Sequence, residues 1–202
     1  MIEYKMLEEK RKKVSSLALR IIGEQGLDLR SLYNDELYRH SEDVADIAVT
    51  LGLMMEMNLY DCITLSVGGY LHDFGKNVII SDILYKKGPL DDAEYQLVQG
   101  HPSFGYRELR KPCYNFDEKV LEIVLYHHEK LNGKGYPTGN TSASLLVQIV
   151  TIADMYDAIH QPRSYHGYRT VDETMDLMKA SEGLNPVILM ILSEAVKNGT
   201  IS

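Results

Sequence analysis

The sequence has little that would place the protein outside a reducing cell interior or within a membrane. Cysteine occurs twice in 202 residues, at Cys62 and Cys113. Two isolated thiols make neither a disulfide framework nor the spacing of a zinc knuckle, and they read as buried or incidental thiols of a reducing cytoplasm. No apolar run approaches the ~20 residues of a membrane-spanning helix. The charged stretch Met1 to Lys13 lacks the apolar core of a signal peptide, so export is not expected. Positive charge is also scarce: 21 Lys and Arg stand against 29 Asp and Glu, a net charge of -8. That is the wrong sign for gripping a DNA or RNA backbone. It leaves room for a small anionic substrate, because bound divalent cations supply positive charge locally and acidic residues serve as their ligands. No internal repeat, low-complexity tract or strand-rich segment is visible.

What is present is a hydrophobic fraction of 45%, ample for one core. Apolar residues recur at helical spacing in almost every segment. Helices are expected over 2–22, Leu32 to Met57, Asp61 to His72, Ser81 to Leu84, from Asp91 to Gln99, Phe116 to His128, Ser144 to Ile159, Val171 to Ala180 and Pro186 to Lys197. The class is all-α. Residues 1–30 form an N-terminal helical segment, either a packed first helix or a coupling segment, and 31–202 form the main domain. With no receiver or sensor domain in the sequence, regulation is expected through the N-terminal segment, oligomerisation or another protein.

The chain is organised around Tyr126-His127-His128-Glu129-Lys130-Leu131-Asn132-Gly133-Lys134-Gly135-Tyr136-Pro137. Two adjacent imidazoles close an apolar run, and a Gly-rich turn ended by proline follows. Neighbouring helix residues splay by about 100°, so vicinal histidines suit two metal ions side by side better than one ion held twice. Neutral imidazole is the commonest protein metal ligand.

Other residues of ligand type fall at helix ends or on apolar faces. Glu36 and His40 are four apart and share a face. His72-Asp73 follows a strongly apolar helix, where an unpaired polar pair would be costly; a structural His–Asp hydrogen bond is the alternative. His101 sits at a helix junction before Pro102. Asp154 lies on the apolar face of its helix, a rare place for a carboxylate without a cation. Imidazole and carboxylate without thiolate suit iron, manganese or zinc. Eight such residues are too many for one tetrahedral ion and suit two or three ions with carboxylate bridges. Asp157, three residues after Asp154, is placed either to orient a ligand histidine or to bond across the helix end. His160 receives no role.

The order His40, His72-Asp73-x-Gly75-Lys76, His101, His127-His128, Asp154 resembles the HD superfamily of metal-dependent phosphohydrolases. The stretch His127-His128-Glu129-x-x-Asn132-Gly133-x-Gly135-Tyr136-Pro137 narrows the resemblance to its HD-GYP family, over about residues 35 to 200. The resemblance implies a compact helical HD-domain bundle with additional C-terminal helices. It implies hydrolysis of the bacterial second messenger cyclic di-GMP to linear pGpG, GMP or both, with a hydroxide bridging two metal ions as nucleophile. The implied metal ligands are His40, His72, Asp73, His101, His127, His128 and Asp154. Glu36 stands where some members hold a third metal. Two or three divalent ions, iron or manganese, are the implied cofactors.

Asp73 and Lys76 carry the implied catalytic roles, and Lys76 and Arg163, with His166, the substrate contacts. Departures from the family pattern are Ser164 for proline, His166 for a basic residue, Asn132 for aspartate and a short segment from Thr138 to Ser144. They bear on substrate grip rather than on the ligands. The alternatives are an HD phosphohydrolase for another nucleotide such as cyclic GMP-AMP, and a signalling module that binds a cyclic dinucleotide with weak turnover. The Gly135-Tyr136-Pro137 loop and the N-terminal helix are the candidate surfaces for a protein partner, and a homodimer is the candidate assembly. Tyr136 and Pro137 are assigned to loop shape or a partner surface.

Overall fold

Small polar side chains mark where the helices begin. In the computed structural model, which describes residues 2–86, 88–161 and 167–201, the main chain forms α1 (Ile2–Glu24), α2 (Leu29–Leu32), α3 (Asp35–Met54), α4 (Leu59–Leu71), a 3-10 turn (Phe74–Val78), α5 (Ser81–Leu84), α6 (Asp92–Gln99), α7 (His101–Leu109), α8 (Glu118–Tyr126), α9 (Leu145–His160), α10 (Val171–Ala180) and α11 (Pro186–Lys197). Asn34, Asn58, Asp91, Asp117, Ser144, Thr170 and Asn185 each accept a backbone N–H in the first turn of the helix that follows, satisfying donors that would otherwise lack partners. No strand occurs among the described residues.

The expected helices are present, with shifted ends. The helix expected from Leu32 divides in two. Asp28 caps a single turn, Leu29–Leu32. Tyr33 then runs extended and buries its hydroxyl on the Tyr70 carbonyl (3.1 Å). Asn34 starts α3 afresh by accepting the Leu37 N–H at 2.8 Å. α8 ends at Tyr126, one turn-position short of the histidine pair, so His127 is its cap and His128 already belongs to the loop.

α1 lies along α3 and α4, with Val14, Ala18 and Ile22 buried. Asp46 of α3 receives Arg11 at 2.6 Å and the Ser15 hydroxyl at 2.9 Å. Lys10, Lys12 and Lys13 stay exposed, as their charge demands. Leu51, Leu65, Ile123, Ile149, Ile152, Met178 and Ile188 fill the centre between α3, α4, α8, α9, α10 and α11. Each contributes roughly 1.5–3 kcal/mol by leaving water.

Three glycines set how closely the site-bearing elements approach. A methyl on Gly69 would strike the backbone of Ala45, so α4 crosses α3 in near-contact there. Gly68 leaves room for Ile123 of α8. At Gly75 a side chain would collide with the His101 carbonyl and the Gly105 N–H, so only glycine lets the 3-10 turn after Asp73 seat against α7. No helix in the described residues is long and apolar enough to cross a membrane.

Candidate metal centre

Three helix ends deliver three histidines by the same device. His72 caps α4, His127 caps α8 and His101 begins α7. In each, Nδ1 bonds the carbonyl oxygen three residues earlier: Gly69 at 2.7 Å, Val98 at 2.8 Å and Val124 at 3.0 Å. A carbonyl only accepts, so each Nδ1 carries the hydrogen, and in the neutral ring each Nε2 is a bare lone pair. His40, in the second turn of α3, has its Nδ1 2.5 Å from Asp157 Oδ2 of α9, and its Nε2 faces Asp154 and His72.

These nitrogens converge. His40 Nε2 lies 3.3 Å from His72 Nε2, and His101 Nε2 lies 3.1 Å from His127 Nε2. Asp73 spans the two pairs. Its Oδ2 is 3.5 Å from His40 Nε2 and 3.4 Å from His72 Nε2, while its Oδ1 is 3.1 Å from His101 Nε2 and 4.0 Å from His127 Nε2. Asp154 faces His40 Nε2 at 3.1 Å, His72 Nε2 at 3.7 Å and His128 Nδ1 at 3.8 Å. The ligand atoms of His40, His72 and Asp73 lie within 4.8 Å of one another, as do those of His101, His127 and His128, and those of His72, His127 and Asp154.

The donor set fits divalent cations. Lone pair faces lone pair between imidazoles that are almost wholly buried, and Asp73 Oδ1 is buried with no hydrogen-bond donor. Such groups are costly in a protein interior unless a cation lies between them. The protonation pattern agrees. Burial holds the His127 imidazole well below its ordinary value, helped by the adjacent His128, His72 and His101. Burial draws His128 down to about 3, against the pull of Asp154. Burial would raise Asp73, but the Lys76 ammonium and neighbouring imidazoles hold it well below the usual carboxylate range. His40 is the exception. Burial lowers it, but hydrogen bonds to Asp154 and Asp157 prevail and push it up to about 9, so without metal a proton occupies the position a cation would take.

The water-facing edge of the cluster is formed by Lys76 and His128, whose side chains are 24% and 26% exposed. Lys76 Nζ holds Asp73 Oδ2 at 2.5 Å. The loop after His128 folds back on itself. A side chain on Gly135 would meet Glu129 Cα, the His128 carbonyl and the Lys130 N–H, and Gly133 turns at φ +71°. Glu129, also buried, accepts the Thr138 N–H at 2.6 Å and its hydroxyl at 2.8 Å, stapling the loop shut. The Tyr136–Pro137 bond is cis, and the Tyr136 ring stacks on His128 at 4.6 Å.

Seven of the eight sequence-derived ligands meet in this cluster. Glu36 stands exposed one turn before His40, outside the three close groupings. Arg163 and His166 lie outside the described residues. Asn132 accepts the Lys134 N–H at 3.0 Å and packs against Gly183, so its departure from aspartate falls in a structural turn. Of the two readings for Asp157, the geometry has it orienting His40. Tyr136, assigned to loop shape or a partner surface, is half-buried with its ring on His128. His160 bonds Thr174 Oγ1 (3.3 Å) and the Tyr168 hydroxyl (3.0 Å).

The family model of the HD domain matches residues 24–185. A cyclic di-GMP phosphodiesterase of Pseudomonas aeruginosa is 32% identical over 175 residues, 84% of this chain and 42% of that protein. A 3'3'-cGAMP-specific phosphodiesterase of Vibrio cholerae is 30% identical over 164 residues, 80% of this chain and 37% of that protein. A cyclic di-GMP phosphodiesterase of Thermotoga maritima is 30% identical over 160 residues, 78% of this chain and 44% of that protein. The chain thus spans less than half the length of these curated relatives. Among solved structures, an HDG"Y"P protein of Bdellovibrio bacteriovorus superposes with a TM-score of 0.68 at 17% identity, covering 96% of this chain and 64% of that one. The phosphodiesterase HD domain of L. monocytogenes in complex with cyclic-di-AMP gives 0.62 at 15% identity, covering 90% and 95%. At these identities the two structures establish a shared fold.

Proposed function

The chain belongs to the HD-domain family, within its HD-GYP branch, and from that membership we propose that it is a metal-dependent phosphodiesterase hydrolysing cyclic di-GMP to linear pGpG, GMP or both. The observation that carries the reading is the convergence of four Nε2 lone pairs on one buried, bridging carboxylate, Asp73. In this reading His40, His72, Asp73, His101, His127, His128 and Asp154 hold two divalent ions, iron or manganese, and Glu36 serves a third at the rim. When bound, such ions supply an acidified water and positive charge against a phosphodiester.

The remaining roles fall to the protein's own groups. Asp73 keeps the two imidazole pairs in register. Lys76, at the exposed edge, meets the phosphate as a point charge, and Arg163 as a fork of donors. His166 is a further substrate contact. The Lys76 ammonium, already aimed inward by Asp73, is the side chain available to give a proton to the departing 3′ oxygen. Asp157 and the three backbone carbonyls hold the rings so that no reorientation is needed when the phosphate arrives. The compartment implied is the cytoplasm. The Gly135-Tyr136-Pro137 loop, the N-terminal helix and a homodimer remain the partner surfaces of this reading.

The test is elemental analysis of anaerobically purified protein followed by a cyclic di-GMP hydrolysis assay on the same sample. Two or three equivalents of iron or manganese with product formation are expected. Asp73→Ala should lose at least one metal equivalent and bring turnover to background; wild-type-like activity in a metal-quantified variant would refute the assignment. A second reading, cyclic GMP-AMP as substrate, is favoured by the Vibrio cholerae relatives of that specificity at 30% and 32% identity and by Ser164 and His166. Parallel assays of both dinucleotides separate the two. Metal without turnover of either would favour a binding module.

A further inference from the structure

Five histidines meet in the cluster, and four of them are fixed in the same manner. His72, His101 and His127 each give an Nδ1 hydrogen bond to the carbonyl three residues earlier, at 2.7, 2.8 and 3.0 Å, and His40 Nδ1 meets Asp157 Oδ2 at 2.5 Å. A ring held at one nitrogen cannot turn without breaking that bond, so its inward nitrogen stays aimed. His128 differs. Among the described residues no hydrogen bond reaches its ring, and Asp154 Oδ2, 3.8 Å from its Nδ1, is beyond hydrogen-bonding reach. It is also the one ring of the five with an appreciable opening to water, 26% exposed against 5% or less for the others.

What holds His128 is Tyr136. Its ring stacks on the imidazole with centroids 4.6 Å apart and planes inclined by 30°, a favourable geometry for an aromatic pair. The Tyr136 N–H donates to the carbonyl of His128 itself at 3.2 Å. One residue thus grips both the main chain and the ring of the histidine. The His127 and His101 rings, with centroids 4.2 and 5.1 Å from that of His128, complete its aromatic surround. The loop that carries Tyr136 is in turn strapped to the turn between α10 and α11. The Leu131 N–H donates to the Gly183 carbonyl at 2.8 Å, Lys130 Nζ to the Ser181 hydroxyl at 3.2 Å, and Lys134 pairs with Glu182 at 2.6 Å. Tyr136 is therefore in place before any ligand arrives.

We propose that Tyr136 is a positioning residue: its stacked ring does for His128 what a hydrogen bond does for the other four histidines. It thereby sets the affinity of the ion that His101, His127 and His128 would hold, and not of the ion between His40, His72 and Asp73. This rests on the two-metal reading above. The experiment is competition for Mn(II) against a chelator, resolved into two stepwise dissociation constants. It compares the wild-type protein with Tyr136→Ala, Tyr136→Leu and Tyr136→Phe, with urea unfolding of each metal-free protein alongside.

Tyr136→Ala and Tyr136→Leu should each weaken one manganese equivalent about 10–100-fold, the effect typical of losing a group that aims a metal ligand, and leave the other within a few-fold. Tyr136→Phe should restore both, because the flat ring and not the hydroxyl makes the contact. Leucine fills space without a flat face, so wild-type affinity in that variant overturns stacking, and it does so even if the alanine variant fails to fold. Wild-type affinity at both equivalents in the alanine variant overturns the proposal. An equal loss at both, with lowered stability, also overturns it, since the loop would then have come apart. A loss that phenylalanine fails to repair overturns it too, assigning the effect to the hydroxyl. A wild-type protein that binds two manganese ions and hydrolyses no cyclic dinucleotide removes the phosphodiesterase reading and leaves this one standing; a protein that binds no metal overturns both.

Discussion

The α3–α4–α9 interior holds Ala45, Leu51, Leu65, Gly69, Ile149 and Ala153 tightly packed and almost wholly out of solvent, and against it stand the seven clustered histidines and aspartates, of which only His128 reaches the water-facing edge appreciably. Neither α5 nor α6, which follow the 3-10 turn, has a buried residue. In the interior, position is set by close backbone approach and by hydrogen bonds that fix each ring. In α5–α6, position is set by tethers at the two ends and one ion pair. The first arrangement suits groups that must be held within fractions of an ångström; the second leaves helices that can open locally without disturbing the packed body.

The widest separation between the two regions should appear in stability. Leu71→Ala removes a fully buried side chain next to His72 and should cost about 2–5 kcal/mol. Gly75→Val should cost a similar amount, since its side chain meets main-chain atoms of α7 that have nowhere to go. It should also displace His101 and lower metal content. Urea unfolding of the metal-free variants, paired with metal analysis, checks both. A Gly75→Val protein with full stability and full metal occupancy would remove the close-approach argument.

A smaller effect is expected one step away from the cluster. Asp157→Ala takes away the acceptor that fixes the His40 ring and should weaken metal binding about 10–100-fold, with Asp157→Asn weaker in effect because its amide oxygen still accepts. Competition with a chelator measures this. The same histidine predicts a pH dependence. His40 titrates near 9 in the metal-free fold against about 6.5 when unfolded. Its contribution to stability is complete below about pH 6.5 and disappears as pH rises through 9. A cation at Nε2 must displace that proton, so metal loading at pH 7–8 should release about one proton, and apparent affinity should rise with pH up to about 9. Unbuffered titration with Mn(II) reads the release directly.

How much of this was legible beforehand follows the same divide. The seven residues that cluster were readable because histidine and aspartate at helix ends and on apolar faces are conspicuous against an apolar background. The fold class followed from helical periodicity and the capping residues. What the residues alone did not settle was orientation. Asp157 left two readings open, and only the 2.5 Å contact with His40 Nδ1 decides between them. Glu36 shares a face with His40 in sequence, yet a single turn of α3 carries it from the interior to solvent.

The least disruptive substitutions sharpen the comparison most. Ile80→Ser and Leu97→Ser replace exposed apolar side chains at the start of α5 and on α6, two helices without a buried residue, and each should change unfolding free energy by less than about 0.5 kcal/mol. The cluster should load metal as in the wild type, because the substitutions leave the backbone in place, including the Leu97 carbonyl that accepts the Gly100 N–H just ahead of His101. Chemical unfolding and metal analysis of the two variants test this together. A loss of 2 kcal/mol or more would mean that α5 and α6 are part of the packed body after all.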